Sequence, residues 1–550
     1  MANEEQNNNL SESVLLSLGQ PTKWITSEAN RIPDKQFLDD FKQRLLRSEE
    51  ARGVVDQSQL SFNLRGIEGS WPNKPGSDES FHTQPESPSA TPYPQSVLSS
   101  SDACTLNLEA ELDQLRPTFP STLQSYIYLD RLDVHTLWGS NTATPPYLDV
   151  ALAGLTCLMS EDKNDSRGHS LFMTAVRLFI VTLELDNREA RRVEGALAAV
   201  LLAVYGLLTG PPSEWRVTTN MLAFFTAVTR RLAPAIPVIP SGFFKTATSH
   251  YSILLRFGFL VDTVAALHFN LPPGLSSNDL KVPMLSSNHS FRTVYDGLFT
   301  SATLPEDVHS PEDGLLLLTA ILSDTLFIQR NLASITVSEN SSSHRHAEMP
   351  RKSNPYATLS PDGEYHRQKL ALLYALDRWH EHFGELMSSN ILAYYFFCRV
   401  CLFYPHLGRV AESAGYTPQV EGAWRFRTED NMERREDKDL PITEEALDAA
   451  WRVLDHVNVR TQKDKCSIWL PIVVFYSALI VWHSMVHSGV EAAGRQYTSL
   501  KILSSFCREL DEMPWPCCRE MSATLARIMQ EDKQKKKIIR PEDEVVFCFN

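Results

Sequence analysis

Beyond residue 120, apolar residues recur at the three- and four-residue spacing of an α-helix, whereas the two-residue alternation of a half-buried strand is scarce. Leu148, Leu152 and Leu155 form one such face, after Thr144 as a helix N-cap and Pro145 in the first turn. An apolar share of 43% is enough for a sizeable core and excludes disorder throughout the chain. The sequence therefore predicts an all-α fold.

Further helices follow from the same periodicity. One of them begins at Ser310, whose hydroxyl can accept a backbone N–H while Glu312 and Asp313 face the positive end of the helix dipole. Its body, residues 315–330, is strongly apolar. The other predicted helices are 169–184, 190–208, 217–231, 248–269, 366–388, 390–404, 443–456, 466–488, 490–511 and 517–530.

The first 120 residues differ in composition from the rest. Residues 1–60 are polar, with seven Lys/Arg against ten Asp/Glu, and Phe37, Phe41 and Leu45 predict one short amphipathic helix there. Residues 61–120 are rich in Ser and Pro and cannot bury enough apolar surface to offset their ordering entropy. We interpret them as a disordered linker.

The remaining chain is predicted to form one large helical domain over 121–530, followed by a basic and acidic tail over 531–550. Two stretches interrupt the helical pattern, a Ser/Pro-containing one at about 335–365 and a charge run at about 418–440. Both are predicted to be mobile surface loops.

Charge and cysteine content narrow the class of protein. Lys and Arg number 52 against 67 Asp and Glu, a net charge of −15, which argues against coating nucleic acid by bulk charge. Nine irregularly spaced cysteines favour a reduced intracellular protein over a disulfide framework. The glycine-rich phosphate loop, the dinucleotide fingerprint and the hydrolase elbow do not occur in the sequence, so no catalytic residue, metal ligand or cofactor is predicted.

Two pairs of residues that include histidine could suggest metal binding. His483 and His487 stand at i and i+4, but a zinc-protease helix places Glu after the first His, and Ser484 occupies that position. We interpret the pair as structural, with a metal-dependent enzyme using both and an unidentified carboxylate as the alternative. His382 and Glu385, at i and i+3, are interpreted as a solvated polar face.

Two cysteine pairs and one apolar stretch have structural interpretations. Cys398 and Cys401 lie in a continuous apolar helix with no second pair to complete a zinc ribbon, so two buried thiols are predicted. Cys517 and Cys518 begin another helix. The stretch 468–486 approaches membrane-spanning length, yet Pro and His interrupt it, and a buried core helix is predicted. A membrane-associated protein remains the alternative.

One concentrated basic run lies near the C-terminus and is either a nuclear-import signal or a solvated tail. Import receptors bind short extended clusters of Lys and Arg, which this run supplies. Its basic residues are Lys533, Lys535, Lys536, Lys537 and Arg540.

Several segments, in order, resemble the middle homology region of fungal-specific transcription factors, a large helical regulatory domain. The resemblance spans about residues 120–515 and depends on the order and spacing of loose motifs. The segment around a helix Asp and the proline loop that follows is the most telling. The matching segments are 145–155, 191–194, 201–206, 259–263, 269–273, 279–283, 316–324, 404–405 and 414–416.

The resemblance implies a nuclear, non-enzymatic regulator of RNA polymerase II genes, often those of a metabolic or secondary-metabolite pathway. It implies homodimer formation or a DNA-binding transcription factor as partner, with no membrane role, and leaves any small-molecule effector open. Family members begin with zinc-binding cysteines or histidines, whereas here the first cysteine is Cys104 and the first histidine His82. We therefore expect indirect contact with promoter DNA, through a partner or a zinc module missing from this sequence.

Overall fold

The structure, a computed structural model, is helical. It describes residues 108–132, 145–158, 167–185, 193–210, 212–232, 242–301, 303–341, 361–416, 418, 442–458, 467–487 and 493–539. Of these residues 81% are helical and none lies in a β-strand, so the predicted all-α class is confirmed for them. One isolated antiparallel bridge joins Pro283 and Ser290 within a loop.

The chain divides into two compact units. The first is Met1–Val261 with Val420–Gly422, and the second is Asp262–Gln419 with Ala423–Asn550. This differs from the single helical domain predicted over 121–530. The boundary falls inside an unbroken apolar helix, where no change in composition could have marked it.

The first unit contains six helices and the first part of a seventh among its described residues. They are α1 Leu108–Leu115, α2 Phe119–Gln124, α3 Pro146–Leu158, α4 Arg167–Leu185, α5 Val193–Thr209, α6 Pro212–Leu232 and α7 Gly242–His268, the last continuing into the second unit.

Aromatic contacts and close backbone approach hold the first unit together. A Cβ on Gly154 of α3 would lie 3.3 Å from the backbone nitrogen of Phe172 in α4, so these two helices pack backbone to backbone. Tyr147 meets Phe179 edge to face at 5.3 Å, which makes α3 and α4 antiparallel. Phe172 in turn stacks on Tyr205 of α5 at 4.4 Å, so α4 is fixed to both neighbours.

The second unit contains the end of α7 and nine further helices among its described residues. They are α8 Phe291–Leu298, α9 Pro311–Ser341, α10 Pro361–Phe383, α11 Ser389–Phe403, α12 Leu407–Ser413, α13 Glu444–Asn458, α14 Leu470–His487, α15 Ala493–Asp511 and α16 Pro516–Ile539.

The core of the second unit is built around α14 and a tryptophan. Residues 472–481 of α14 are all buried, each large apolar side chain contributing about 1.5–3 kcal/mol, which confirms the predicted core helix. Trp379 of α10 is fully buried, stacks on Tyr395 of α11 at 5.4 Å, and donates its indole N–H to the Gly314 carbonyl of α9 at 2.8 Å. One side chain thus joins three helices.

The linker predicted over 61–120 extends too far. Helical structure begins at Leu108, and Leu112 and Phe119 are buried. Pro117 and Pro120, which contribute to the linker-like composition, instead occupy first-turn positions of short helices, where the missing N–H costs nothing. Residues 1–107, including Phe37 and its predicted amphipathic helix, lie outside the described residues.

The loop predicted at 335–365 is also shorter than expected, because helices extend into it from both sides. Helix α9 continues to Ser341 and α10 begins at Pro361, so helix occupies both ends of the loop predicted at 335–365. The middle of that loop, 342–360, and the loop at 418–440, apart from residue 418, lie outside the described residues. The short helices α1, α2, α8 and α12 were not predicted, because each is too brief to show a clear period.

One described helical stretch, His250–His268, is long and apolar enough to span a membrane, and 94% of it is buried inside the structure. Helices α11 and α12 together reach the same threshold, but they are bent by 90° at their junction. The stretch considered in the sequence for membrane association corresponds to α14, which counts among the shorter apolar helices. Buried core helices of this kind have the same length and composition as spans.

Candidate functional site

The proline-containing segment that follows α7 forms a loop in the second unit. It runs over residues 269–290, between α7 and α8, and we call it the aspartate-bound loop. Asn270 opens it in the left-handed conformation with φ of 56°, which Asn tolerates better than most residues. Pro272 and Pro273 follow and cannot continue the helix. The loop therefore needs partners for its N–H groups outside regular structure.

Asp262 supplies the first of these partners from α7. Its side chain is 5% exposed, and one carboxylate oxygen accepts the backbone N–H of Leu275 at 2.8 Å. A charged acceptor makes a stronger hydrogen bond than a neutral carbonyl, especially away from water. Asp262 thus fixes the first part of the loop to α7.

Asp313, on the first turn of α9, binds the far end of the loop. It is fully buried and accepts N–H bonds from Leu285 at 2.8 Å and Ser286 at 2.9 Å, with the Ser286 hydroxyl at 2.7 Å. The Ser310 hydroxyl accepts the Asp313 N–H at 3.1 Å, which confirms the N-cap predicted from the sequence. The carboxylate itself contacts the loop rather than only facing the helix dipole.

Asp324 binds the middle of the loop from a later turn of α9. It accepts a hydrogen bond from the Tyr295 hydroxyl at 2.7 Å and from the Ser277 hydroxyl at 3.1 Å. Burial raises the pKa of the Asp324 carboxyl, partly opposed by these bonds, and burial beside Asp324 raises the pKa of Tyr295 well above its ordinary value. The pair joins α8, α9 and the loop.

His268 ends α7 immediately before the loop. It is completely buried, its Nε2 lies 3.5 Å from the Tyr416 hydroxyl, and its carbonyl accepts the Tyr476 hydroxyl at 3.2 Å. Burial lowers the pKa of His268 from 6.5 to about 3, because the interior disfavours the imidazolium. The ring is therefore neutral at physiological pH.

These groups attach the loop to the helices around it. The carboxylates of Asp262, Asp313 and Asp324 accept bonds from loop or helix donors, and His268 is enclosed. The arrangement holds the loop in one conformation.

The two histidines considered for metal binding lie at different places on α14: His483 is in the core, and His487 is at the end of the helix. His483 is buried on α14, with its ring centre 6.2 Å from that of Tyr404, in agreement with a structural role. His487 is the last residue of α14. Within the described residues, no group of three His, Cys, Asp or Glu side chains is placed to hold a metal ion.

The cysteine pairs lie in the core. Cys398 and Cys401 are both buried in α11, which confirms the prediction of two buried thiols, and burial raises the pKa of Cys398. A protonated, enclosed thiol is a poor nucleophile. Cys517 and Cys518 are also buried, in the first turn of α16.

His382 and Glu385 behave differently from each other. Glu385 is exposed, as predicted for a solvated face. The prediction is wrong for His382, which is half-buried and has its Nε2 2.8 Å from the Val308 carbonyl, because α10 packs this side of its last turn against the segment before α9.

The basic run lies at the end of α16. Lys533, Lys535, Lys536 and Lys537 fall within this helix, which continues to Ile539 rather than ending at 530 as predicted. Arg540 lies outside the described residues. Among the side chains of α16 that the structure describes, which end at residue 531, the last buried one is Ile528.

Comparison of the chain with known protein families, with curated proteins and with solved structures found no match.

Sequence reasoning identified the loop but not the way in which it is held. Asp262 and Asp324 lie within segments quoted for the resemblance, and Asp313 appears in a predicted cap. Their shared role became visible only in three dimensions, since Asp313 and Leu285 are 28 residues apart. An Asp within an otherwise apolar helix was the available signal, because a buried carboxylate requires partners.

Replacing Asp313 by Ala should lower the free energy of unfolding of the second unit by about 3 kcal/mol or more, because the Leu285 and Ser286 N–H groups lose their acceptor inside the protein. Urea unfolding followed by circular dichroism measures the change. Asp296→Ala is the matched control, since this exposed carboxylate pairs with Arg292 on the surface and should cost less than about 1 kcal/mol. Equal effects of the two substitutions would contradict the proposed loop attachment.

Acidification should destabilise the second unit through His268. Its pKa is about 3 when folded and 6.5 when unfolded, so the stabilisation is complete above pH 6.5 and is lost as the pH falls toward 3. Between pH 7 and pH 5 the loss from this residue is about 2 kcal/mol. Urea unfolding of His268→Gln at both pH values should show a correspondingly weaker pH dependence.

The matched control for this experiment is His366→Gln, because His366 is exposed on α10. It should retain the full difference between pH 7 and pH 5. If His268→Gln showed the same pH dependence as the unsubstituted chain, the neutral buried state of His268 would be wrong.

Proposed function

We propose that this protein regulates transcription by RNA polymerase II in the nucleus, at genes of a metabolic or secondary-metabolite pathway. The observation that carries the proposal is the ordered series of segments that resemble the fungal-specific transcription factor regulatory domain. The segment 259–283 is the most specific among them. Its helix Asp and proline loop are the elements that the family resemblance singles out.

The use of the buried carboxylates supports a regulatory rather than a catalytic role. Asp262 and Asp313 accept backbone N–H groups of the aspartate-bound loop, and Asp324 accepts two hydroxyl groups. These hydrogen bonds hold a surface segment in one conformation. A domain that binds other proteins benefits from such a fixed surface, because ordering it at the moment of binding would cost affinity.

Contact with promoter DNA is proposed to be indirect. The net charge is −15, and no cysteine precedes Cys104 in this sequence. A zinc-cluster head needs six cysteines, and a basic surface is needed to neutralise phosphates. A DNA-binding transcription factor, a homodimer that recruits one, or a zinc module outside this sequence would supply the contact.

A tethering experiment tests the regulatory function. The full chain fused to an unrelated DNA-binding domain should change expression of a reporter carrying the matching site by at least about fivefold, in either direction. The unfused chain with the same reporter is the control, and Asp313→Ala should weaken the effect because the loop loses its attachment. A fusion that accumulates normally, as judged by immunoblot, and leaves expression unchanged would contradict the proposal.

Nuclear entry is proposed to depend on the basic run at the end of α16. Substituting Lys533, Lys535, Lys536 and Lys537 with Ala in a fluorescent fusion should abolish nuclear accumulation, because import receptors require clustered positive charge. A control with the same loss of charge removes exposed, scattered residues. These are Lys281, Arg409, Lys501 and Arg519. Nuclear accumulation of both variants would argue against this run as the import signal.

A further inference from the structure

The first unit contains a buried carboxylate whose ionic partner is a half-exposed histidine. The Glu214 side chain, in the first turn of α6, is 3% exposed. One of its oxygens lies 2.6 Å from Nδ1 of His169 in α4, and the other accepts the hydroxyl of Thr209 at the end of α5. The His169 side chain is 43% exposed. Three helix ends therefore meet at one carboxylate.

Small residues allow the three helices to approach this closely. A Cβ on Gly168 would lie 3.2 Å from the Tyr205 hydroxyl, so the first turn of α4 lies directly on α5. A Cβ on Gly206 would overlap the Thr218 hydroxyl and lie 2.7 Å from the Glu214 carbonyl. The short turn between α5 and α6 uses Gly210 with φ of 106°, a conformation that favours glycine. The packing therefore determines the distance between His169 and Glu214.

Two electrostatic effects compete at His169. The residue lies in the first turn of α4, where the positive end of the helix dipole opposes protonation. The carboxylate of Glu214, which is in hydrogen-bond contact with the ring, favours protonation. The carboxylate is a full charge in direct hydrogen-bond contact, whereas the dipole amounts to about half a charge spread over several N–H groups. The pairing therefore outweighs the dipole.

Other titratable and charged side chains lie on the helices around this end of α4. A Cβ on Gly168 would lie near Cβ of Cys157 in α3 and the hydroxyl of Tyr205 in α5. Arg167 on α4 itself and Arg216 on α6 are exposed, where water and salt screen their repulsion of an imidazolium. Glu214 is a charged group in direct hydrogen-bond contact with the ring of His169.

We propose that His169, Glu214 and Thr209 form a proton-operated latch, in which protonated His169 holds the first turn of α4 against the turn between α5 and α6. When His169 is protonated, its Nδ1–H makes a charge-assisted hydrogen bond to Glu214. When it is neutral, the bond is between a neutral donor and a buried carboxylate and is weaker. The attachment is therefore strongest when the imidazolium and the carboxylate are both charged, and it weakens as the pH rises and His169 loses its proton.

Selective ¹³C labelling of the histidine rings in the full chain allows His169 to be titrated by NMR. The titration midpoint should be about one pH unit lower in Glu214→Gln than in the unsubstituted protein, a tenfold weaker proton affinity. Glu412→Gln, which alters an exposed carboxyl of the second unit, is the control and should leave the midpoint unchanged. Equal midpoints with and without the Glu214 charge would overturn the proposal.

Amide hydrogen exchange tests whether the proton operates the attachment. After correction for intrinsic rates, the amides of residues 171–175 should exchange at least about threefold more slowly at pH 6 than at pH 8. His169→Gln should lose this difference, because its amide cannot be protonated. If His169→Gln retained the full difference, the latch would be ruled out, even in the case that Glu214→Gln failed to fold.

Discussion

The second unit depends on one constraint: the 22-residue loop between α7 and α8, partly buried against the helices, must find partners for its backbone N–H groups. Within the aspartate-bound loop, residues 269–290, some N–H groups bond to carbonyls of the loop itself, as Met284 does to His289. The N–H groups of Leu275, Leu285 and Ser286 instead donate to carboxylates of the neighbouring helices. Carboxylates on α7 and α9 accept these N–H groups, and a third carboxylate, Asp324, accepts the hydroxyls of Tyr295 and Ser277. The helices can pack closely around the loop because these acceptors replace water. Removing one of these carboxylates leaves its N–H donors without a hydrogen-bond partner inside the fold, whereas removing a surface carboxylate leaves its partner free to bond to water.

The helical content and most of the long helices were predictable from the sequence, because apolar periodicity over fifteen or more residues has few alternative explanations. Helix α14 and the cap at Ser310 are examples, and both are confirmed. The helices that begin at Leu108 and Phe119 overlap the predicted linker 61–120, because its Ser- and Pro-rich composition predicts disorder up to residue 120. Pro117 and Pro120 belong to that composition, yet they lie in first turns, where proline is favourable. The attachment of Leu285 to Asp313 could not be predicted from spacing, since contacts between distant residues depend on how the helices pack.

The environments of two histidines explain why residue type alone is a weak guide to chemistry. His268 and His169 both lie in helices, and the sequence around neither one indicates its protonation state. Burial among tyrosines keeps His268 neutral, whereas a carboxylate beside the half-exposed His169 favours the charged ring. Proton binding to His268 lowers the stability of the second unit, whereas proton binding to His169 is proposed to strengthen its contact with Glu214. The two effects of protonation are opposite because solvent access and the charge of the neighbouring group differ, and both are set by the folded structure.

Helix α7 has a consequence for any attempt to divide the protein. The boundary between the two units falls between Val261 and Asp262, within an unbroken helix that continues to His268. A fragment cut there would expose up to four carbonyl groups on one side and four N–H groups on the other, with no cap for either. Asp262, which fixes the aspartate-bound loop, would become a frayed terminal residue. Fragments intended to isolate the second unit therefore need to include the preceding turns of α7 from the first.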